Sequence, residues 1–255
     1  MRAPVAEVFS SVQGEGPLVG VRQVFVRTYG CDLACLYCDT PASRAETGPC
    51  RIELTPGSGV WEEVANPLTA EMVAEVIREL DQPRGLHQSV SFTGGEPLLH
   101  PEFISAVAAR CRERGLEAYL ETNGQRVAEL RAVIDRVDTV AMDVKLPSSQ
   151  PECSEARAAK LLQHSLEFLE VALQKRVFAK VIVTPDVSPE GIERVAAALA
   201  SVSRALTLIL QPVTPRREVT ASPSAGAMLA LQAAAAAHLR DTRVIPQCHV
   251  LMGQL

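Results

Sequence analysis

No run of apolar side chains in the 255 residues approaches the roughly 18 that cross a membrane, so no membrane span is expected. The opening stretch, Met1-Arg-Ala-Pro-Val-Ala-Glu-Val-Phe-Ser10, lacks the apolar core of a secretory signal, and the expected location is the cytoplasm. A basic excess is also missing: 25 Lys and Arg stand against 30 Asp and Glu, for a net charge of -5. The basic residues are scattered, so neither a nucleic-acid backbone nor an anionic membrane is expected as a partner. No internal repeat stands out, and the Ala-rich stretch 233–237 is the only biased tract. The seven cysteines form no disulfide framework: the number is odd and three fall within eight residues, which argues for metal ligation in a reducing compartment.

Those three are Cys31, Cys35 and Cys38, spaced C-x3-C-x2-C in Tyr29-Gly-Cys-Asp-Leu-Ala-Cys-Leu-Tyr-Cys-Asp-Thr40. Structural zinc takes four protein ligands, and an electron-transfer [4Fe-4S] cluster normally takes four cysteines. Three thiolates leave one metal corner open for a substrate or cofactor. A zinc knuckle completed by Cys50 or a histidine is the competing reading. Cys111, Cys153 and Cys248 read as buried thiols, and Cys50, in a flexible stretch, as a bystander.

Periodicity places strands at 23–28, 89–92, 117–120, 139–143, 177–183 and 206–210. Helices are expected from Thr69 to Leu80 and over 101–113, 126–136, 152–174, 189–200 and 222–239. Strands joined by helix-length connections form right-handed βαβ units and a parallel sheet. The expected architecture is therefore α/β: one domain over 1–255, with about six parallel strands curled into an incomplete TIM-like barrel. Ligands of such sheets lie at the carboxyl ends of the strands, where every motif falls. Residues 41–68 lack a clear period and read as an insertion or flap over the cysteine loop; residues 241–255 read as a substrate-facing tail.

The second strand runs into Ser91-Phe-Thr-Gly-Gly-Glu-Pro-Leu-Leu99. Its two glycines let backbone approach a ligand closely, and the Glu96 carboxylate can accept hydrogen bonds from an ammonium group. The triple-cysteine spacing followed by Gly-Gly-Glu-Pro resembles the radical S-adenosylmethionine (SAM) superfamily. That resemblance implies a [4Fe-4S] cluster whose open iron chelates the cofactor's amino and carboxylate groups. Gly94, Gly95 and Glu96 would sit against the amino group. One electron would then cleave the sulfonium to give a 5′-deoxyadenosyl radical that takes a hydrogen atom from the substrate.

Upstream, Ser10-Ser-Val-Gln-Gly-Glu-Gly16 bares backbone groups beside one carboxylate, which suits a heterocycle, and Arg27 on the first strand offers a fork for a carboxylate. At the third strand's end, Leu120-Glu-Thr-Asn-Gly124 puts Glu121 and Asn123 at the mouth. At the fourth, Asp143 and Lys145 reach the rim. From about residue 8 to the C-terminus this combination resembles the 7-carboxy-7-deazaguanine synthases. The resemblance implies ring contraction of 6-carboxy-5,6,7,8-tetrahydropterin with loss of ammonia and help from Mg2+, a flavodoxin-type reductant and a homodimer. Val12, Gln13, Gly14 and Glu15 would border the pterin. Arg27 would meet its carboxylate, and Thr93 and Glu121 would touch the ring. His249 and the Leu255 carboxylate would read its aminopyrimidine edge. Thr40 would reach Mg2+. Thr122, Asn123, Asp143, Lys145, Phe178, Lys180 and Gln211 would surround the SAM cofactor. Some family members have Ser-Pro-Lys where this chain has Asp143-Val144-Lys145. Two other readings stay open here: an activase making a glycyl radical on a partner enzyme, and a zinc or electron-transfer module.

Overall fold

Four of the connecting helices begin where a hydroxyl takes an orphan amide hydrogen. In the computed structural model, which describes residues 1–45, 47–216 and 218–254, the N–H of Met72 donates to Thr69 Oγ1 at 3.2 Å. Ser154, Ser188 and Ser224 cap three further helices in the same way. The elements in order are β1 (Arg2–Ala3), β2 (Val5–Val12), β3 (Arg22–Thr28), β4 (Cys50–Glu53), β5 (Trp61–Val64), β6 (Leu68–Thr69), α1 (Ala70–Leu80), β7 (Ser89–Gly94), α2 (Pro101–Arg112) and β8 (Glu117–Thr122). They continue with α3 (Val127–Val133), β9 (Thr139–Asp143), α4 (Glu155–Ala172), β10 (Arg176–Val183), α5 (Pro189–Val202), β11 (Thr207–Pro212), α6 (Ala225–Ala236), β12 (Asp241–Val244) and α7 (Cys248–Leu251).

All six expected strands are present, as β3 and β7 to β11. The sheet runs β12-β11-β10-β9-β8-β7-β3-β2-β4-β5. From β3 to β12 every neighbouring pair is parallel. Among the described residues no pairing joins the two ends, so the barrel is incomplete. It has one more parallel strand than expected, because β12 is only four residues long, too short to show a period, and falls within the stretch 241–255 expected as the tail. Strand β2 forms an antiparallel pair with β3. None of the helices among the described residues is long and apolar enough to cross a membrane.

The stretch 41–68 is not a flap. Cys50–Glu53 pairs in parallel with β2, and Trp61–Val64 pairs antiparallel with β4, so most of the insertion extends the sheet edge. Two four-residue strands are too short to show a period. Cys50 is fully buried in that edge, not in flexible surroundings, and Trp61 stands edge-on to Phe9. Of the other thiols, Cys111 is buried, but Cys153 precedes α4 and Cys248 opens α7, both half-buried.

Outward strand residues such as Val24, Phe92, Leu120, Val140, Val181 and Leu208 bury themselves against Ile77, Phe103, Leu130, Phe168 and Ile192 of the helices. Inward residues follow the period of two that a strand imposes. Tyr119, Ala141, Phe178 and Ile209 form a small apolar floor. Two residues further along the same strands come Glu121, Asp143, Lys180 and Gln211. Four neighbouring strands thus switch from apolar to polar inward side chains toward their carboxyl ends, and these polar side chains line the site. Away from it, Ser10 Oγ lies 2.8 Å from His87 Nε2, and His87 Nδ1 3.0 Å from Asp81. This buried chain ties β2 to the end of α1.

Candidate active site

At the carboxyl ends of the parallel strands lies a cavity of about 590 Å³. Cys31, Cys35 and Cys38 all reach it as free, half-buried thiols. The amide of Gln150 donates to Cys35 Sγ at 3.0 Å. The cysteine loop is fastened to the Gly-Gly-Glu-Pro turn: Gly95 N–H donates to Thr28 O at 3.1 Å and Glu96 N–H to Gly30 O at 2.7 Å. This fastening is what demands glycine. A Cβ on Gly95 would fall 1.9 Å from Gly30 O, and one on Gly94, whose φ is +134°, would fall 2.3 Å from Thr28 O.

Glu96 is fully covered, and its carboxylate is already engaged. It accepts from the N–H of Leu98 at 3.0 Å, the hydroxyl of Thr122 at 2.8 Å and the N–H of Asn123 at 2.7 Å. Burial pushes its pKa up to about 7 against the pull of those donors. Its place is therefore behind the wall, holding Thr122 and Asn123, which do face the cavity. Asn123 in turn donates to Asp32 at 2.8 Å.

Four charged side chains interlock across the base. Lys180 pairs with Glu15 and lies 3.2 Å from Asp143, whose other oxygen is 2.6 Å from Lys145. Burial alone would raise the Glu15 pKa, but the Lys180 charge and hydrogen bonds from Lys180 and Gln247 hold it at about 2. Burial would likewise lower Lys180; Asp143 and Glu15 overcome it, and its pKa is raised. Gln211 adds a hydrogen bond to Glu15 at 3.1 Å. Phe178 is not at this level. It lies in the apolar floor, against Gly16 and beside Tyr119, because it precedes Lys180 by one inward position.

The opposite wall carries Val12, Gln13, Gly14, Arg27, Thr93 and Glu121. Arg27 Nε donates to Glu7 at 2.7 Å, and its guanidinium lies over Phe9. Glu121 accepts from Gln13 at 2.8 Å, Thr93 at 2.9 Å and Ser91 at 3.3 Å, while burial raises its pKa. Thr40 faces the cavity with no capping bond from its hydroxyl. The tail closes the rim: His249, Val250, Gly253 and Gln254 line it, and Leu255 lies outside the described residues. Gln247 was not foreseen. Its amide nitrogen donates both to Glu15 at 2.9 Å and to Asp39 at 3.0 Å, across 232 and 208 residues of chain.

The radical SAM superfamily model matches residues 25–202. The 7-carboxy-7-deazaguanine synthase of Geobacter sulfurreducens is 42% identical over 254 residues, covering 99% of this chain and 98% of its own. The chain belongs to the 7-carboxy-7-deazaguanine synthase family, within the radical SAM superfamily. The synthase of Methanothermobacter thermautotrophicus is 33% identical over 99% of this chain and 98% of its own. The crystal structure of QueE from Escherichia coli shares the fold, with a TM-score of 0.60 over 98% of this chain and 95% of that one at 21% identity.

The donor set suits the cofactors of this synthase family. Three thiols free of disulfides share the cavity with Gly94 and Gly95 and with Asn123, Asp143, Lys145 and Gln211. Cys50, the cysteine that the zinc reading would need, is fully buried in the sheet edge beside β2 and does not line this cavity. Where some family members carry Ser-Pro-Lys, Asp143 occupies the position between two lysines.

Proposed function

We propose that this chain converts 6-carboxy-5,6,7,8-tetrahydropterin to 7-carboxy-7-deazaguanine with loss of ammonia, a step toward queuosine and other 7-deazapurines. One observation carries the reading: the Gln13-Gly-Glu15 turn, Arg27, Glu121 and His249 share a single cavity with all three cysteines. When bound, the cluster and SAM supply a one-electron route to hydrogen abstraction that no side chain offers. Cys31, Cys35 and Cys38 would hold the cluster, and Gly94, Gly95, Thr122, Asn123, Asp143, Lys145 and Gln211 would surround the SAM cofactor. Thr40 would hold Mg2+, an ion that keeps several waters and leans on few protein ligands.

The remaining residues bind and orient the pterin. Arg27, fixed by Glu7, presents its guanidinium edge to the pterin carboxylate. Glu15 and Glu121 offer acceptors to ring N–H groups, and His249 and the tail cover the far edge. An activase acts on a protein loop and has no use for these groups around a small-molecule cavity. The proposal includes a flavodoxin-type electron donor and a homodimer.

The test is anaerobic reconstitution, then incubation with SAM, dithionite, Mg2+ and the carboxytetrahydropterin. Formation of 7-carboxy-7-deazaguanine is expected. An intact [4Fe-4S] signal without that product would overturn the reading.

A further inference from the structure

At the start of β3 and β7 the inward positions, Gln23 and Ser89, are polar and buried, and they lie behind the cavity-lining Gln13. Gln23 is 0% exposed, and Gln13 and Ser89 are 2% exposed. Gln23 Nε2 donates to Ser89 Oγ at 2.8 Å, and Gln23 Oε1 accepts from Gln13 Nε2 at 3.1 Å. The second hydrogen of Gln13 Nε2 goes to Glu121 at 2.8 Å, while Gln13 Oε1 accepts from the backbone N–H of Glu15 at 2.9 Å.

Gln13 is therefore a hub with both donors and its acceptor in use. Flipped, it would aim its oxygen at a carboxylate and at the Gln23 oxygen, and Glu15 N–H would lose its acceptor. Its two site contacts run to the Glu121 carboxylate and to the backbone N–H of Glu15, whose own carboxylate is held by Lys180, Gln211 and Gln247. Gln23 takes the remaining hydrogen and so pins the amide plane. Folding alone does not call for this arrangement, since apolar residues of similar shape in place of a fully paired buried polar pair are near neutral for stability. What a fully satisfied buried network supplies is one fixed geometry.

We propose that Gln13 and Gln23 are positioning residues: together they fix the backbone at Glu15 relative to the Glu121 carboxylate, and with it the placement of a heterocycle bound between the Gln13-Gly-Glu15 turn and Glu121. This rests on the reading of Glu15 and Glu121 as substrate contacts. Gln23 touches neither cavity nor cofactor and acts only through Gln13.

The experiment compares Gln23→Met with Gln23→Glu in the reconstituted holoenzyme. A buried Glu at this position is held neutral, and a carboxylic acid keeps the acceptor for Gln13 and a donor for Ser89. Amide exchange at Glu15 reports the Gln13 contact without turnover, since its protection depends on local opening. Gln23→Met is expected to speed that exchange about tenfold and to raise the pterin KM about tenfold, the factor that corresponds to one ordinary hydrogen-bond loss. Substrate-independent SAM cleavage should stay near wild type, the thermal midpoint should fall only by the roughly 2–12 °C that an unpaired buried donor costs in a chain near this size, and Gln23→Glu should restore exchange, KM and midpoint together. Wild-type exchange and KM in Gln23→Met would overturn the proposal. So would a KM loss that tracks the thermal midpoint and that Gln23→Glu does not rescue. If the pterin were not the substrate, wild-type turnover would fail while the exchange comparison still decided whether the column orients Glu15.

Discussion

A Cβ added to Gly14 would fall 2.2 Å from Nδ1 of His249 and 2.4 Å from its Cβ, so the tail lies directly on the backbone of the Gln-Gly-Glu-Gly turn. The N–H of Cys248 seals the contact by donating to Gly14 O at 2.8 Å. Gly14→Ala should therefore unseat His249 and Gln247 while leaving the cluster loop intact. Overpacking costs about 1–3 kcal/mol, which corresponds to a rise in pterin KM of roughly 5- to 150-fold. Iron content and substrate-independent SAM cleavage should hold. Steady-state kinetics beside an iron assay checks this, and equal loss of both activities would refute it.

The Glu15–Lys180 pair is largely withdrawn from solvent at the cavity and shared with Asp143. Lys180→Met leaves Glu15, Asp143 and Glu121 together with one cation fewer, and breaking such a pair costs about 3–5 kcal/mol. The pH dependence follows from the lowered Glu15 pKa of about 2. A depressed carboxyl contributes stability that is fully present above the unfolded value near 4.5 and is lost as pH falls toward 2. In Lys180→Met that contribution disappears, so the deficit against wild type should be larger at pH 8 than at pH 4. Urea unfolding of both proteins across that range measures it.

Glu96 carries the opposite sign. Its pKa is raised to about 7, so between 4.5 and 7 the folded state binds more protons than the unfolded one, and stability falls as pH rises. Glu96→Gln does not titrate. The difference between wild type and Glu96→Gln should thus change by on the order of 3 kcal/mol between pH 4.5 and pH 8, wild type being relatively stronger in acid. Denaturation midpoints at four or five pH values decide it; a flat difference profile would mean that the Glu96 pKa is not raised.

The six parallel strands and their helices were legible because each carries its own period and several begin with a hydroxyl cap. Strand ends were legible too, through Gly-Gly-Glu-Pro and Glu-Thr-Asn-Gly. Register was not. Nothing local in Val177-Phe-Ala-Lys-Val181 says that Phe178 stops at the floor while Lys180 clears it; that depends on Phe178 facing Ala141 and Lys180 facing Asp143 across the sheet. Strand β2 hides for a related reason, since β3 and β4 flank it and Val8, Phe9, Ser10 and Ser11 are all buried without alternation. Gln247 has no signal at all, because its partners are set by the docking of the tail. The Gly-Gly pair was read correctly as a close approach, but the body approaching it is the chain's own cysteine loop.

That last relationship gives the sharpest contrast between glycines. At Gly95 an added Cβ meets backbone on two sides, Gly30 O at 1.9 Å and Ser43 O at 2.9 Å, and backbone cannot swing away as a side chain can. The residue after Gly30 is Cys31, so relief of the clash must move the first thiol. Gly95→Ala should lose at least the 1–3 kcal/mol typical of overpacking, a fall in thermal midpoint of roughly 2–12 °C for a chain near this size. Iron retained after anaerobic reconstitution should drop with it. Gly226 provides the control: it lies within α6 with nothing inside 4 Å of its added Cβ, so Gly226→Ala should stabilise by about 0.5–1 kcal/mol through helix propensity and leave iron binding unchanged. If both variants kept full iron, the Gly95 contact would be mere proximity, and the coupling of the Gly-Gly-Glu-Pro turn to the cysteine loop would have to be abandoned.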